Sequence, residues 1–191
     1  MLPWAHVAKV CVESTQARSA GEDFVLNQHK VFSAGVHGER LVHVLSGRYL
    51  ATLATRNGDG SIHQAVVWFL ESDGAILIAT SAATRKAQNA ARDPAASVLI
   101  DTRGSGELRG VAASGSIEIV RGDEARALNE TVWSKYLTDQ GLEDPEVGGV
   151  IRANDDITLH FCPDLPWRTW GTDSDFGGAF GRPGTSYSLD A

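Results

Sequence analysis

Thr84-Arg85-Lys86 stands at the head of a segment with helical spacing. The first turn of a helix carries roughly half a positive charge and several amide hydrogens without intrahelical acceptors, so adjacent cations there are unfavourable unless an anion lies among them. Arg85, Lys86, the Thr84 and Ser81 hydroxyls and the amides of that turn therefore make a candidate phosphate or carboxylate site. The competing reading is two solvated surface cations, because a charge at a helix end is worth only ~0.3–1 kcal/mol. Upstream, Trp68 offers a flat apolar surface, and Thr80-Ser81 closes a strand just before the basic turn. A flat ring bearing a phosphate needs those three features together, although a tryptophan taken singly is more often a core or interface residue.

Other chemistries find little footing. There is no Walker A run, and Gly104, Gly106 and Gly110 miss the dinucleotide spacing and lead into a strand. No G-x-S-x-G elbow surrounds any serine, so nucleophilic catalysis of the hydrolase kind is not indicated. H-E-x-x-H is absent and the six histidines are scattered, with His37 and His43 at the wrong interval to share a helix face, so no metal site is expected. Cys11 and Cys162 form no C-x-x-C, which suggests neither zinc nor a disulfide framework.

The elements that must position these residues follow from periodicity and turn signals. Met1 to Gly38 is weakly patterned and reads as an arm. Arg40–Ser46 has helical spacing, with Gly47 as its stop. YLATLAT, beginning at Tyr49, ends at Asn57-Gly58-Asp59-Gly60, which contains the dipeptides that best favour hairpin turns. The returning strand puts Ile62, Gln64, Val66, Trp68 and Leu70 on one face and His63, Ala65, Val67 and Phe69 on the other. Both faces are partly apolar, as in a barrel strand whose outer side is covered by a partner or ligand. Ser72-Asp73-Gly74 then turns into AILIAT, completing an antiparallel meander of three strands.

Thr84 caps a helix over Arg85–Arg92, which Asp93-Pro94 ends. Strands follow at Ala96–Thr102 and Val111–Val120. A helix from Asp123 carries Ala125, Leu128, Val132 and Tyr136 on one stripe, and ITLHFCP at 157–163 is the last strand. The remainder is a tail with Trp167 and Trp170 as anchors. The expected organisation is an arm over 1–38, a domain over 39–165 and a tail over 166–191, and the fold class is mainly β, a small barrel with few helices.

A chain of 191 residues with 42% hydrophobic residues suits one domain. Lys+Arg 17 against Asp+Glu 24 leaves a net charge of −7, which argues against nucleic acid as the main partner. No apolar run approaches the roughly 20 residues of a bilayer span, and no leader pattern opens the chain, so a cytoplasmic location without membrane contact is expected.

The stretch YLATLATRNGDGSIHQAVVWFLESDGAILIATSAATRKAQNAARDPAASVLI resembles the FMN-binding split β-barrel superfamily. This group includes pyridoxamine 5′-phosphate oxidase, flavin reductases of that fold and the coenzyme F420-dependent oxidoreductases. LATLAT, the G-D-G turn, VVWF and T-R-K-x-Q-N-x-x-R-D-P carry the likeness. It covers 48–121 well and 122–165 loosely. The resemblance implies a homodimer with cofactors in grooves at its interface. By position, Val66, Val67 and Trp68 would line the ring, Ala79, Thr80 and Ser81 would meet the ring edge or ribityl chain, and Arg85, Lys86 and Gln88 would hold the phosphate end.

Departures from the oxidases bear on the activity. They carry an arginine near Ala65 that contacts the FMN phosphate, an Arg-Gln-Val run where this chain has Arg109-Gly110-Val111, and a C-terminal Arg-Leu-Ala-Pro element absent here. Pyridoxamine phosphate oxidation is thus not implied, and the deazaflavin members fit better. Coenzyme F420 has a phosphodiester and an acidic tail, for which Arg56, Arg92, Arg103 and Arg109 are candidate partners. The implied reaction is hydride transfer to a small electron-poor acceptor, with Tyr136 or His63 as proton sources only if they face the groove. The alternatives are an FMN-dependent reductase or oxidase, a haem protein using His29, His37, His43 or His160, and a non-catalytic flavin binder.

Overall fold

The Asn57–Ser61 turn closes as its residues dictate. Asn57 and Ser61 exchange a backbone hydrogen bond of 2.8 Å, the Asp59 carboxylate accepts from the Ser61 amide and hydroxyl, and Gly60 takes a φ of +86° that only glycine adopts freely. The turn joins β1 (Ala51–Arg56) to β2 (Ile62–Val67) in a register that runs from Arg56↔Ile62 to Ala51↔Val67. A second tight turn, with Asp73 and Gly74 both at positive φ, joins β3 (Leu70–Ser72) to β4 (Ala75–Thr80).

In the computed structural model, residues 35–102, 109–164 and 166–171 are described. The remaining elements are α1 (Gly35–Ser46), α2 (Arg85–Arg92), β5 (Ala95–Asp101), β6 (Arg109–Arg121), α3 (Gly122–Ser134), α4 (Asp139–Glu143), α5 (Gly148–Asn154), β7 (Ile157–Pro163) and β8 (Arg168–Gly171). The strands form an eight-stranded sheet in the order β2-β1-β5-β6-β7-β4-β3, with β8 beside β6, and every pairing is antiparallel. β2 and β3 lie at opposite ends of that order, yet only Trp68 and Phe69 separate them in sequence. The sheet must therefore curl until its ends meet, which is the split-barrel form of the mainly β fold.

Two expectations are corrected here. Ile62–Leu70 is two strands, and β4 does not complete a meander on β2 but pairs with β3 and β7. The two hairpins are stitched to opposite ends of one sheet by the long-range strands. Secondly, the stretch read as a tail contributes β8, which continues along the β6 edge already paired with β7. Glycine permits both contacts: a Cβ on Gly115 would lie 2.1 Å from the Cys162 carbonyl, and one on Gly110 would lie 2.1 Å from the Trp170 ring. The arm over 1–34, Cys11, and tail residues 172–191 fall outside the described residues.

The barrel interior is filled by Leu53, Phe69, Ile76, Ile78, Ile100 and Phe161, under α1 and α2. A second cluster lies outside the sheet, where Leu77 and Val120 meet Ala125, Leu128 and Val132 of α3. β4 is thus covered on both faces, which is why AILIAT is apolar throughout. β2 is not: Ile62 and Val66 stand 63% and 68% exposed on its outer face. The register sets Val66, Thr52, Leu99 and Ala112 in one row across that face. Among the described residues no helix is long and apolar enough to cross a membrane.

His160, on β7, is only 2% exposed, and burial pushes its imidazole down from 6.5 to about 4. As pH falls the unfolded chain takes up this proton first, so stability is unaffected above about pH 6.5 and declines between there and about pH 4, by up to about 3 kcal/mol. Urea midpoints measured across that interval should slope down in the native chain and flatten in His160→Gln.

Candidate functional site

The barrel is open along one line. β3 covers β4 only at Ala75–Leu77, so from Ile78 to Thr80 the far edge of β4 has no second ladder partner among the described residues. Among the described residues β2 likewise pairs only with β1. Trp68 and Ala79 pack on the same outer cluster. Of the residues expected along this opening, Val66 and Val67 end β2 and Trp68 follows them, while Ala79 and Thr80 end β4 and Ser81 leads on toward α2.

The side chains are not all free to face it. Val66 points outward, while Val67 is buried toward the barrel core and can offer the split only its backbone. Trp68 lies stacked on Tyr136 at 4.9 Å and 6°, so one ring face is already occupied. Ala79 is half-buried and Thr80 buried, the Thr80 hydroxyl lying 3.3 Å from that of Thr84.

At the start of α2, Thr84 sits at the cap position, but its hydroxyl donates to the Ser81 carbonyl at 2.8 Å and accepts nothing from the helix. The first amides of α2 are left without that cap. Arg85 is exposed and Lys86 half-buried, while the Gln88 amide folds back to the Ala83 carbonyl. Anions do stand near the two cations, and they belong to the chain itself. The Asp156 carboxylate accepts from the Ala82 amide at 2.7 Å and from the Ser81 hydroxyl, contacts that hold it below its ordinary range. Asp155 faces Lys86 and accepts from the Trp133 indole at 3.2 Å; burial raises this carboxyl and lowers the Lys86 ammonium. Asp59 lies within electrostatic reach of Arg85, and Arg121 of Asp156. The positive charge of this turn is thus offset in part by carboxylates, most directly that of Lys86 by Asp155. Spacing along the chain gave no hint of Asp155 and Asp156, which arrive from the far side of the sequence in the link that leads into β7, the strand paired with β4.

The second half of the T-R-K-x-Q-N-x-x-R-D-P run is structural. Buried Asn89 donates to the Thr55 hydroxyl at 3.1 Å and the Asn57 side chain at 2.9 Å. Arg92 donates to the Arg56 carbonyl, and Arg56 pairs with Asp93 at 3.5 Å. Arg56 and Arg92 are therefore engaged in locking α2 to the β1–β2 hairpin, while Arg109 opens β6 opposite Gly171. Arg103 and His29 lie outside the described residues, as does the side chain of His37. His63 is on the barrel side of β2, His43 lies against Tyr49 and His160 is buried, so none of the three stands at the split. Tyr136 does not face it as a proton source either: its hydroxyl is bound to the backbone at Tyr49 and Phe69, and burial raises its pKa.

Residues 38–148 match the family model described as pyridoxamine 5′-phosphate oxidase. Among solved structures, a conserved hypothetical protein from Mycobacterium tuberculosis is 28% identical with a TM-score of 0.57, over 78% of this chain and 92% of that one. An F420 reductase aligns at 20% identity and a TM-score of 0.53, over 66% and 94%. HutZ, the haem storage protein from Vibrio cholerae, aligns at 12% and 0.56, over 68% and 92%. The last two likenesses speak for the fold alone, which proteins with different ligands share. No curated protein gives a significant match.

If the Asn89 half of the motif holds the fold and the Arg85 half does not, the two should separate in urea denaturation. Asn89→Ala should cost about 2–3 kcal/mol, because it strands the buried Thr55 hydroxyl. Arg85→Ala should stay within about 0.5 kcal/mol of the native chain.

Proposed function

The chain belongs to the pyridoxamine 5′-phosphate oxidase family, and from that premise we propose that it is an oxidoreductase working with coenzyme F420 on a small electron-poor acceptor. The observation that carries the reading is the barrel split, where the β4 edge that no strand covers among the described residues runs on into the uncapped start of α2. Open strand edges suit the polar rim of a flat heterocycle, since they present backbone donors and acceptors at fixed spacing. Free first-turn amides beside Arg85 suit a phosphate.

At the phosphate end, charge supports F420 over FMN. Asp59, Asp155 and Asp156 lie within electrostatic reach of Arg85, Lys86 and Arg121 and offset part of their charge. What remains to draw an anion is Arg85 together with the helix start, the latter equivalent to about half a charge. That favours a phosphodiester, with its single charge, over a phosphate monoester carrying about −1.5 to −2 at neutral pH.

In this assignment the backbone of Val66, Val67 and Trp68 and that of Ala79 and Thr80 would hold the ring. Ser81, Arg85 and Lys86 would hold the phosphodiester, with Gln88 able to swing from Ala83 toward it. Bound there, F420 would supply hydride transfer, reducing an electron-poor double bond with a proton from solvent completing the addition. The chain's part is to orient ring and acceptor and to exclude water. The exposed row of Val66, Thr52, Leu99 and Ala112 is the surface a second copy would cover, making the homodimer part of the proposal. The FMN-dependent alternative rests on the same groove. A haem reading has no described histidine at the split to support it.

Fluorescence titration with oxidised F420 and with FMN tests this. F420 should bind more tightly, and Arg85→Ala should weaken it by about 1.5–3 kcal/mol, the worth of a charged hydrogen bond. Lys86→Ala should weaken it as well, without unfolding the apo chain. Tighter FMN binding would move the assignment to a flavin reductase or oxidase, and failure of both ligands would overturn it.

A further inference from the structure

Where the two ends of the barrel meet, the chain passes through Trp68 and Phe69, which belong to neither β2 nor β3. The backbone there has no ladder, and buried amides and carbonyls without partners are costly. At Phe69 a side chain from elsewhere serves them. The Tyr136 hydroxyl accepts from the Phe69 amide at 3.1 Å, lies 3.1 Å from the Phe69 carbonyl, and donates to the Tyr49 carbonyl at 2.7 Å. Its ring stacks on Trp68.

Tyr136 is itself held in place. It lies just past the end of α3, tied by its amide to the Trp133 carbonyl at 2.9 Å. Its neighbour Lys135 reaches the last turn of α1, donating to the Leu45 carbonyl at 3.0 Å. The same ammonium sits 3.7 Å from the centroid of the buried Phe69 ring. Adjacent residues thus grip the seam through its backbone, its Phe69 ring and its Trp68 ring.

We infer that Tyr136, seated by Lys135, is a positioning residue for the groove: by closing the seam at Phe69 it fixes Trp68 and the adjoining end of β2, Val66 and Val67, at the barrel split. The part that concerns ligand rests on the cofactor reading above; the part that concerns the seam does not. The hydroxyl does no chemistry on a bound molecule. Its effect is on where the strand edge stands when the molecule arrives.

Tyr136→Phe removes the hydroxyl and keeps the ring. The apo variant should remain folded by circular dichroism and retain the near-ultraviolet signal of the Trp68–Tyr136 stack. Amide exchange followed by NMR should quicken at Phe69, Trp68 and Val67 by about tenfold, as for loss of one buried hydrogen bond, while amides of β6 keep their rates. F420 affinity should fall by about the same factor. Lys135→Met, which keeps the aliphatic stem, should quicken the same amides and provides the test should Tyr136→Phe fail to fold. Unchanged exchange at Phe69 in a folded variant overturns the seam role. Quickened exchange with undiminished F420 binding overturns the positioning role. If the native chain binds neither F420 nor FMN, the cofactor reading falls, and with it the positioning role, while the exchange rates still decide whether Tyr136 closes the seam.

Discussion

Everything in this molecule answers to one connection: two residues, Trp68 and Phe69, join strands that stand at opposite ends of an eight-stranded sheet. So short a link cannot span an open sheet, because neighbouring strands alone are about 4.8 Å apart and seven make up the main path. The sheet has to close on itself, and sheet twist makes such closure possible. Closure is incomplete by the same geometry. β3 is only three residues long, so among the described residues no strand covers that edge of β4 beyond Leu77. The barrel and its opening have one cause.

The polar groups around that opening divide into those that hold the fold and those left facing solvent. Asn89, Arg92 and Asp93 bind α2 to the hairpin below it, and Asn129 and Thr158 satisfy one another beneath α3. Arg85 and the first amides of α2 are what these networks leave over. The carboxylates of Asp155 and Asp156 temper the positive charge of this turn. A pair of cations at a helix start is tolerated without a ligand because the chain brings its own counter-ions.

Much of the local structure was legible in the residues. The N-G-D-G and S-D-G turns, the helix ended by Asp93-Pro94 and the stripe of α3 all declare themselves within a window of a dozen residues, because backbone sterics and amphipathic period act at that range. The break between β2 and β3 was not legible. Alternation passes through Trp68 and Phe69 without interruption, and the break arises only because β4 and β2 recruit different neighbours. β8 was hidden for a related reason: four residues around Thr169 carry no pattern, and β6 supplies the template they pair with. The roles of Tyr136 and Lys135 were equally silent, since a tyrosine at the end of an apolar stripe reads as one more core residue.

The sequence by itself determined the class of the protein, its family and its turns, since each is written in local pattern or in motif. Only the tertiary structure decided how the candidate site residues present themselves. It turned Val67 inward, set one face of Trp68 against Tyr136, and placed Asp155 and Asp156 beside Lys86 and Ser81. Each of those outcomes depends on contact between segments tens of residues apart, and no short-range signal encodes the partner that a strand edge or a charge will meet once the sheet has closed.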